Sequence, residues 1–348
     1  MTRYDDAIAY ARQNRDQSLQ SLMEFLRIPS ISTLPEHNQD MHRAAEWLVQ
    51  RLTALGFEQA RILPTAGHPV VYAERLNAGP SAQTILFYGH YDVQPTDPID
   101  LWRTDPFDPV VQGDNLYGRG ASDMKGQVMA HLSAVEAILH TGPLPVNLKI
   151  MLEGEEEIGS PSLPAFIQQN QALLKSNFCL NGDSGILAPD IPALTVSLRG
   201  LVYAEVNVKG PSTDLHSGGF GGAVDNPALV LCQVIAGMRD AQGVIQLPGF
   251  YDKVRPLSAR ERDEMAKLPT DEAWWKTQTG APQLDGEVGY TSTERASARP
   301  TLDVNGFLSG FTGAGSKTVL PAKAMAKISM RLVPDQDPKE IRASLEAY

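Results

Sequence analysis

A histidine and an aspartate stand two residues apart at the end of a predicted strand, in a pattern typical of metal sites. Residues 84–88 form an apolar run, and His90 and Asp92 follow it. Because alternate residues of an extended backbone point to the same side, the two side chains are expected to lie together. This geometry suits a metal-binding imidazole on His90 whose second ring nitrogen is held by a nearby carboxylate. The pair alone does not define a site.

Three acidic segments further along the chain lie where an apolar segment gives way to a loop. Asp123 lies in a glycine-rich segment, 116–126, in which the glycines allow tight turns. A run of three glutamates follows the strand-like residues 146–152, and Asp183 follows a short apolar run. One histidine with several carboxylates is a mixed nitrogen and oxygen donor set, which favours zinc, cobalt or manganese over a thiolate-bound structural zinc.

The glutamate run, 155–157, could be a solvated charge patch, as most acidic runs are. Here it lies at the C-terminal end of a buried-looking strand, between Gly154 and Gly159. Open α/β sheets place their sites at that end of their strands. Adjacent carboxylates at a metal centre can have different roles, one coordinating the ion and the next acting as a general base.

Six short segments follow one another in order along most of the chain. They are His-Tyr-Asp at 90–92, Gly-Arg-Gly-Ala-Ser-Asp-Met-Lys-Gly at 118–126, Glu-Gly-Glu-Glu-Glu-Ile-Gly-Ser at 153–160, Asn-Gly-Asp at 181–183, Asp-Leu-His-Ser-Gly-Gly-Phe-Gly-Gly at 214–222 and Lys-Thr-Val-Leu-Pro at 317–321. No single segment is decisive, but their joint occurrence is highly specific. Together they resemble the M20 family of metallopeptidases, and most closely its dipeptidase branch, the carnosinase-like enzymes.

The resemblance implies two divalent metal ions, with zinc expected and manganese or cobalt as alternatives. Asp123 would bridge the ions, with His90 and Asp183 on one of them and Glu157 on the other. A cis peptide is implied directly after the bridging aspartate, between Asp123 and Met124, a strained arrangement that the surroundings must enforce.

The resemblance also implies the catalytic and substrate-binding residues. Glu156 would be the general base, and Asp92 would orient His90. His216 would reach the site of the other subunit of a homodimer and stabilise the oxyanion. Arg331 would bind the free C-terminal carboxylate of the substrate by a fork-like contact.

Hydrophobic periodicity predicts an α/β fold. Helical spacing over 5–26, 41–55 and 126–139 alternates with strand-like runs such as 70–76 and 146–152. This alternation predicts a mixed sheet flanked by helices on both faces. We expect a metal-binding catalytic domain over 1–197 and a smaller, inserted α+β lid and dimerisation domain over 198–348.

Composition is that of an acidic globular protein. The net charge of −11 argues against nucleic acid as a partner. The two cysteines, Cys179 and Cys232, lie in apolar segments and are interpreted as buried thiols. Neither a signal peptide nor a run of eighteen apolar residues is found, so no membrane association is expected and the cytoplasm is the expected location.

The C-terminal region departs from the family pattern. The resemblance implies a further histidine ligand for the second ion, yet the last histidine is His216. The chain ends inside an apparent helix that begins near Pro338. We therefore expect a truncated sequence, in which either the ion at Glu157 binds weakly and activity is impaired or the missing part lies outside this chain.

The expected function is metal-dependent hydrolysis of the amide bond of dipeptides or similar small substrates with a free C-terminal carboxylate. An N-acyl-amino-acid amidohydrolase and a non-catalytic dimeric binding protein are alternatives. The segment 182–185, Gly-Asp-Ser-Gly, would make Ser184 a serine-protease nucleophile, but the α/β pattern does not fit a double barrel. A phosphate-binding loop over 310–318 is disfavoured because Ser316 separates its glycine from its lysine.

Overall fold

The chain divides into two units, Met1–Ile186 and Leu187–Tyr348. The computed structural model describes residues 2–188, 191–195 and 197–348. Within these ranges, no helix combines the length and the apolar composition needed to cross a bilayer.

A five-stranded mixed sheet forms the centre of the first unit, in the order β1-β2-β6-β3-β7. The strands of this unit are β1 (Glu58–Leu63), β2 (Val70–Arg75), β3 (Thr84–His90), β4 (Val110–Gln112), β5 (Asn115–Tyr117), β6 (Asn147–Glu153) and β7 (Phe178–Asn181). β3 runs parallel to both β6 and β7, β2 is antiparallel to β6, and β4 and β5 form a separate antiparallel pair. Every residue of β6 is buried, as expected for a strand covered on both faces.

Helices cover both faces of this sheet. They are α1 (Arg3–Gln13), α2 (Arg15–Leu26), α3 (Asn38–Ala54), α4 (Lys125–Thr141), α5 (Leu163–Gln169) and α6 (Gln171–Leu174). On one face, α2, α3 and α4 contribute Phe25, Leu48 and Leu132 to a core that also contains Ile150 of β6. On the other face, residues such as Phe166 of α5 pack against the opposite side chains of the sheet. Burial of apolar surface on two sides of one sheet is the main stabilising contribution to this unit.

The second unit is an antiparallel sheet in the order β10-β12-β8 with helices packed on one face. Its strands are β8 (Gly200–Lys209), β9 (Leu215–His216), β10 (Thr301–Ser309), β11 (Val319–Leu320) and β12 (Lys323–Leu332). Its helices are α7 (Ser217–Phe220), α8 (Pro227–Gly237), α9 (Ala259–Met265), α10 (Glu272–Thr279), α11 (Ser292–Ser297) and α12 (Pro338–Ala347). β12 alternates strictly between buried and more exposed residues, the pattern of a strand with one face on a core.

The predicted fold class, a mixed α/β sheet with flanking helices and an α+β lid, is confirmed. Two details were wrong. The predicted helix over 5–26 is two helices, because the backbone leaves helical geometry at Asn14 (φ −101°, ψ 16°). Cys179 and Cys232 are exposed, so the interpretation of both as buried thiols fails: β7 is an edge strand, and Cys232 lies on the outer side of α8.

Candidate metal centre

The candidate site lies where three parallel strands of the first unit end. β3 ends at His90 and β6 at Glu153, which are paired in the sheet, and β7 ends at Asn181. Because these strands are parallel, their C-terminal ends meet at one edge of the sheet, and the loops that follow carry the polar side chains.

The structure brings the five residues expected at the metal site together. The Nε2 atom of His90 lies 3.1 Å from Asp123 Oδ1, 3.9 Å from Glu156 Oε2 and 3.9 Å from Asp183 Oδ2. In each of two groups, one potential ligand atom from every residue lies within 4.8 Å of the others: His90, Asp123 and Glu157, and His90, Glu156 and Asp183. By distance alone, Glu156 is therefore as well placed to coordinate an ion as Asp183 is.

Asp92 holds both the imidazole and the acidic turn that follows β6. His90 Nδ1 lies 3.0 Å from the backbone oxygen of Asp92 and 3.3 Å from its Oδ1 atom. The same carboxylate accepts hydrogen bonds from the backbone amides of Glu156, at 3.2 Å, and of Glu157, at 3.1 Å. Asp92 is fully buried and belongs to neither ligand group. It fixes the imidazole with Nε2 directed at the carboxylates.

The electrostatics of the site favour a positive charge among its carboxylates. Burial works to lower the pKa of His90, but the hydrogen bond and charge of Asp92, with the charges of Glu156 and Asp123, outweigh it and raise the pKa to about 9. Burial, assisted by neighbouring carboxylates, raises the pKa of Glu156, Glu157 and Asp183. One imidazole nitrogen and several crowded carboxylates are the hard and borderline donors that zinc, manganese and cobalt prefer. This donor set therefore fits a divalent cation.

A tight loop presents Asp123, whose side chain is 64% exposed. The peptide between Asp123 and Met124 is cis, as the sequence predicted. The Met124 sulfur accepts a hydrogen bond from the backbone amide of His90 at 3.0 Å. Gly126 allows the loop to pack on the first turn of α4, because a Cβ atom there would lie 2.1 Å from the backbone oxygen of Ala121. The loop thus depends on Gly126 for its position.

Two buried charged residues next to the site were not assigned a function from the sequence. Lys125 is fully buried and donates to the backbone oxygens of Phe25, at 3.1 Å, and Ile28, at 2.6 Å. It ties the start of α4 to the end of α2, and burial lowers its pKa to about 7. The backbone oxygens that Lys125 binds come from segments distant in sequence and leave no local sequence pattern.

Glu155, which the sequence analysis assigned neither as a metal ligand nor as the general base, is the second of these residues. It is 4% exposed and lies outside both ligand groups. Its carboxylate accepts hydrogen bonds from the backbone amides of His68, at 2.9 Å, and Ser162, at 3.0 Å. It therefore joins the segment before β2 to the acidic turn after β6.

His216 and Arg331 lie in the second unit, and neither belongs to a ligand group. His216 Nδ1 accepts a hydrogen bond from the backbone amide of Gly218 at 3.1 Å, which assigns the proton of the neutral ring to Nε2. Nε2 lies 3.2 Å from the Thr318 hydroxyl. Pairing of β9 with β11 holds His216 opposite Val319. The exposed imidazole is therefore a fixed N–H donor.

Comparison with known proteins identifies the family of this chain. Residues 86–331 match the peptidase family M20/M25/M40. A Cys-Gly metallodipeptidase of Candida albicans is 34% identical, over 93% of this chain and 70% of that protein. The structure is similar to that of human carnosine dipeptidase 1, with a TM-score of 0.85 and 30% identity, over 100% of this chain and 76% of that one. It is also similar to an M20 family metallo-carboxypeptidase from Sulfolobus solfataricus, with a TM-score of 0.81 and 38% identity, over 95% and 74% of the two chains.

The fold and the site define a metal-dependent hydrolase that acts on amide bonds. The chain belongs to peptidase family M20/M25/M40. The serine-protease alternative for Ser184 is wrong, because the fold is a mixed α/β sheet and not a double barrel.

Proposed function

We propose that the protein hydrolyses the amide bond of dipeptides that carry a free C-terminal carboxylate, with two divalent metal ions. Zinc is the expected metal, and manganese and cobalt are the alternatives. The observation that carries the proposal is the convergence of His90, Asp123, Glu156, Glu157 and Asp183 at one edge of the sheet, in a chain of this peptidase family. The names of the similar dipeptidases and of the metallo-carboxypeptidase support a substrate cleaved next to its terminal carboxylate.

The proposed ligand set follows the family resemblance and uses the donors that meet at His90. His90 and Asp183 would hold one ion, Glu157 the other, and Asp123 would bridge them. When bound, the ions would polarise the scissile carbonyl and acidify a water molecule. Asp92 would keep the His90 imidazole directed at the ions and stabilise its orientation through the Nδ1 contact.

Glu156 is the proposed general base. It would take a proton from the attacking water and return it to the nitrogen of the departing amine. Its backbone amide is fixed by Asp92, so its carboxylate is presented by a positioned turn. His216 would donate its Nε2 proton to the carbonyl oxygen as negative charge develops there. Arg331 would bind the substrate's terminal carboxylate.

A homodimer belongs to the same proposal, with His216 supplied by the partner subunit. The fixed tautomer of His216 and its exposed position support its use as a donor to another group. The cytoplasmic location stays a prediction from the sequence.

A substrate panel tests the proposal. Dipeptides with both ends free, N-acetyl dipeptides, N-acyl amino acids and dipeptide amides would be incubated with protein supplied with zinc, manganese or cobalt, and released amine would be measured. We expect the free dipeptides to have the highest kcat/KM. Faster cleavage of N-acyl amino acids would favour an aminoacylase, and preference for N-blocked dipeptides a carboxypeptidase. Peptide binding with no hydrolysis under any metal would favour a binding protein.

A further inference from the structure

Two arginines, Arg331 of β12 and Arg199 just before β8, lie near one end of the sheet in the second unit. Buried residues of β12, such as Met330 and Leu332, point into the core. Arg331 lies between them and therefore points to the opposite face. Its partners on the neighbouring strands are Leu201 and Thr301.

Arg199 lies directly before β8, two residues before Leu201, which is opposite Arg331. On the other side of β12, Thr301 pairs with Arg331, and Arg299 lies two residues before Thr301. Arg199 is half-buried, and its Nη1 atom donates to the backbone oxygen of Arg299 at 3.5 Å. Because β8 and β10 flank β12, this contact carries the Arg199 side chain across the end of β12 that bears Arg331.

Neither guanidinium forms an ion pair with a carboxylate of residues 2–188, 191–195 or 197–348. Asp303 is the nearby acid, and it accepts a hydrogen bond from the Thr301 hydroxyl at 3.1 Å. Burial, and after it the positive charge of Arg331, lowers the pKa of Arg199, while Asp303 opposes this shift. Two neighbouring cations, with their repulsion only partly offset by Asp303, are stabilised when an anion binds between them.

We propose that Arg199 and Arg331 together form a carboxylate-binding site, in which Arg199 is a second guanidinium for the terminal carboxylate of the peptide substrate. The resemblance assigned this carboxylate to Arg331 alone. The site itself follows from the placement of the two arginines, and only the identity of its ligand rests on the proposed function. Two guanidinium groups offer a carboxylate charge-assisted hydrogen bonds on both of its oxygens.

The test compares a dipeptide with its C-terminal amide in wild-type protein and in Arg199→Gln. We expect Arg199→Gln to raise KM for the free acid on the order of tenfold, the loss typical of a charge-assisted hydrogen bond. KM for the amide should stay unchanged, so the preference for the acid falls. Arg199→Lys should recover part of the lost affinity, because lysine keeps the positive charge but lacks the paired N–H donors of the guanidinium. Arg342→Gln is the matched control, since Arg342 is exposed on α12 and pairs with Glu346.

Two kinetic results would overturn the inference and leave the proposed function standing. One is an unchanged KM for the free acid in Arg199→Gln while Arg331→Gln raises it. The other is an equal loss for acid and amide, which would mean that Arg199 only supports the fold.

Direct binding tests the site without turnover. In wild-type protein with 15N-labelled arginine, titration with N-acetylglycine should shift the Nε–H resonances of both Arg199 and Arg331, each assigned by its absence from the corresponding Gln variant. In Arg331→Gln, the Arg199 resonance should shift only at much higher ligand concentration. A stationary Arg199 resonance in wild-type protein would contradict the inference even if the protein hydrolyses no peptide.

Discussion

Asp92 and Glu157 are joined by a hydrogen bond of 3.1 Å from the Glu157 backbone amide to Asp92 Oδ2. The bond connects the segment after β3 to the turn after β6. Since Asp92 also contacts His90, one buried carboxylate positions donors that come from two strands. The separation between the imidazole and the acidic turn is therefore set by a residue that is not itself a candidate ligand.

Replacing Asp92 by Asn should weaken cation binding and leave every candidate ligand in place. The two backbone amides donate to different oxygens of Asp92, and in Asn one of these oxygens is replaced by an NH2 group that cannot accept. We expect a loss of metal affinity of about 10–100-fold, as for other residues that orient ligands. Calorimetric titration with zinc measures it. Asp108→Asn, at an exposed position, is the control, and an affinity equal to the wild-type value in Asp92→Asn would refute this role.

Replacing Glu156 by Gln tests whether Glu156 acts as the general base or as a metal ligand. If Glu156 transfers protons, turnover should fall by about 10²–10⁴-fold, the usual contribution of a general base. The metal content, measured by atomic emission, should stay at the wild-type level because Glu156 is not among the proposed ligands. Loss of a bound ion in this variant would show instead that Glu156 coordinates the metal, as its place beside His90 and Asp183 also allows.

Mixing two inactive variants tests whether His216 acts across a dimer. In a heterodimer of Glu156→Gln and His216→Ala, one site would contain both the intact base and the partner's intact histidine. After unfolding and refolding of an equal mixture, about a quarter of the wild-type activity should return, since about half of the dimers are mixed and each has one working site. The two variants refolded separately are the controls. Absence of recovery, with mixed dimers shown by mass spectrometry, would place His216 in its own subunit's site.

Divalent cations should stabilise the first unit against unfolding. Without a cation, the carboxylates around His90 repel one another, and a ligand that binds only the folded state adds about 2.7 kcal/mol at a concentration of 100 Kd. We expect zinc added to chelator-treated protein to raise the melting temperature, measured by calorimetry. His90→Ala should abolish most of this rise, whereas His42→Ala, outside both ligand groups, should keep it. An equal rise in both variants would show that the cation binds elsewhere.

Replacing Gly126 by Ala should disturb the loop that carries Asp123. The new Cβ would lie 2.1 Å from the Ala121 backbone oxygen, so the loop must move. We expect a loss of about 1–3 kcal/mol in the free energy of unfolding, the usual cost of overpacking. Denaturant unfolding measures the loss, and zinc affinity should fall with it. In Gly306→Ala the new atom would meet Lys327 at 3.7 Å, an ordinary contact, so this control should be close to wild type.

The strands and loops that carry the site residues could be predicted from the sequence because each has a recognisable local sequence pattern. A buried strand such as β6 is a continuous apolar run, and the loop carrying Asp123 is marked by glycines. β1 mixes polar and apolar residues, none of them fully buried, so it lacks such a pattern and was not predicted. The division of the first helix at Asn14 was also missed, because Asn14 lies within one continuous helical spacing.

The residues that hold the site in position were harder to predict than the candidate ligands. Lys125 and Glu155 bind backbone atoms of segments that are distant in sequence, so their partners are set by tertiary packing alone. Motif matching identified the acids that converge on His90, but it assigned no function to the buried charges that hold the surrounding segments together.

The three consecutive glutamates after β6 make the site sensitive to insertion and deletion. Glu155 directly precedes a 3-10 turn that contains Glu156 and Glu157, and successive residues of such a turn point about 120° apart. Deleting one glutamate would leave an adjacent acidic pair in the sequence but would bring Ile158 to the position of Glu157. Two homologous chains could thus align their acidic pairs perfectly and still differ in which carboxylate faces the imidazole.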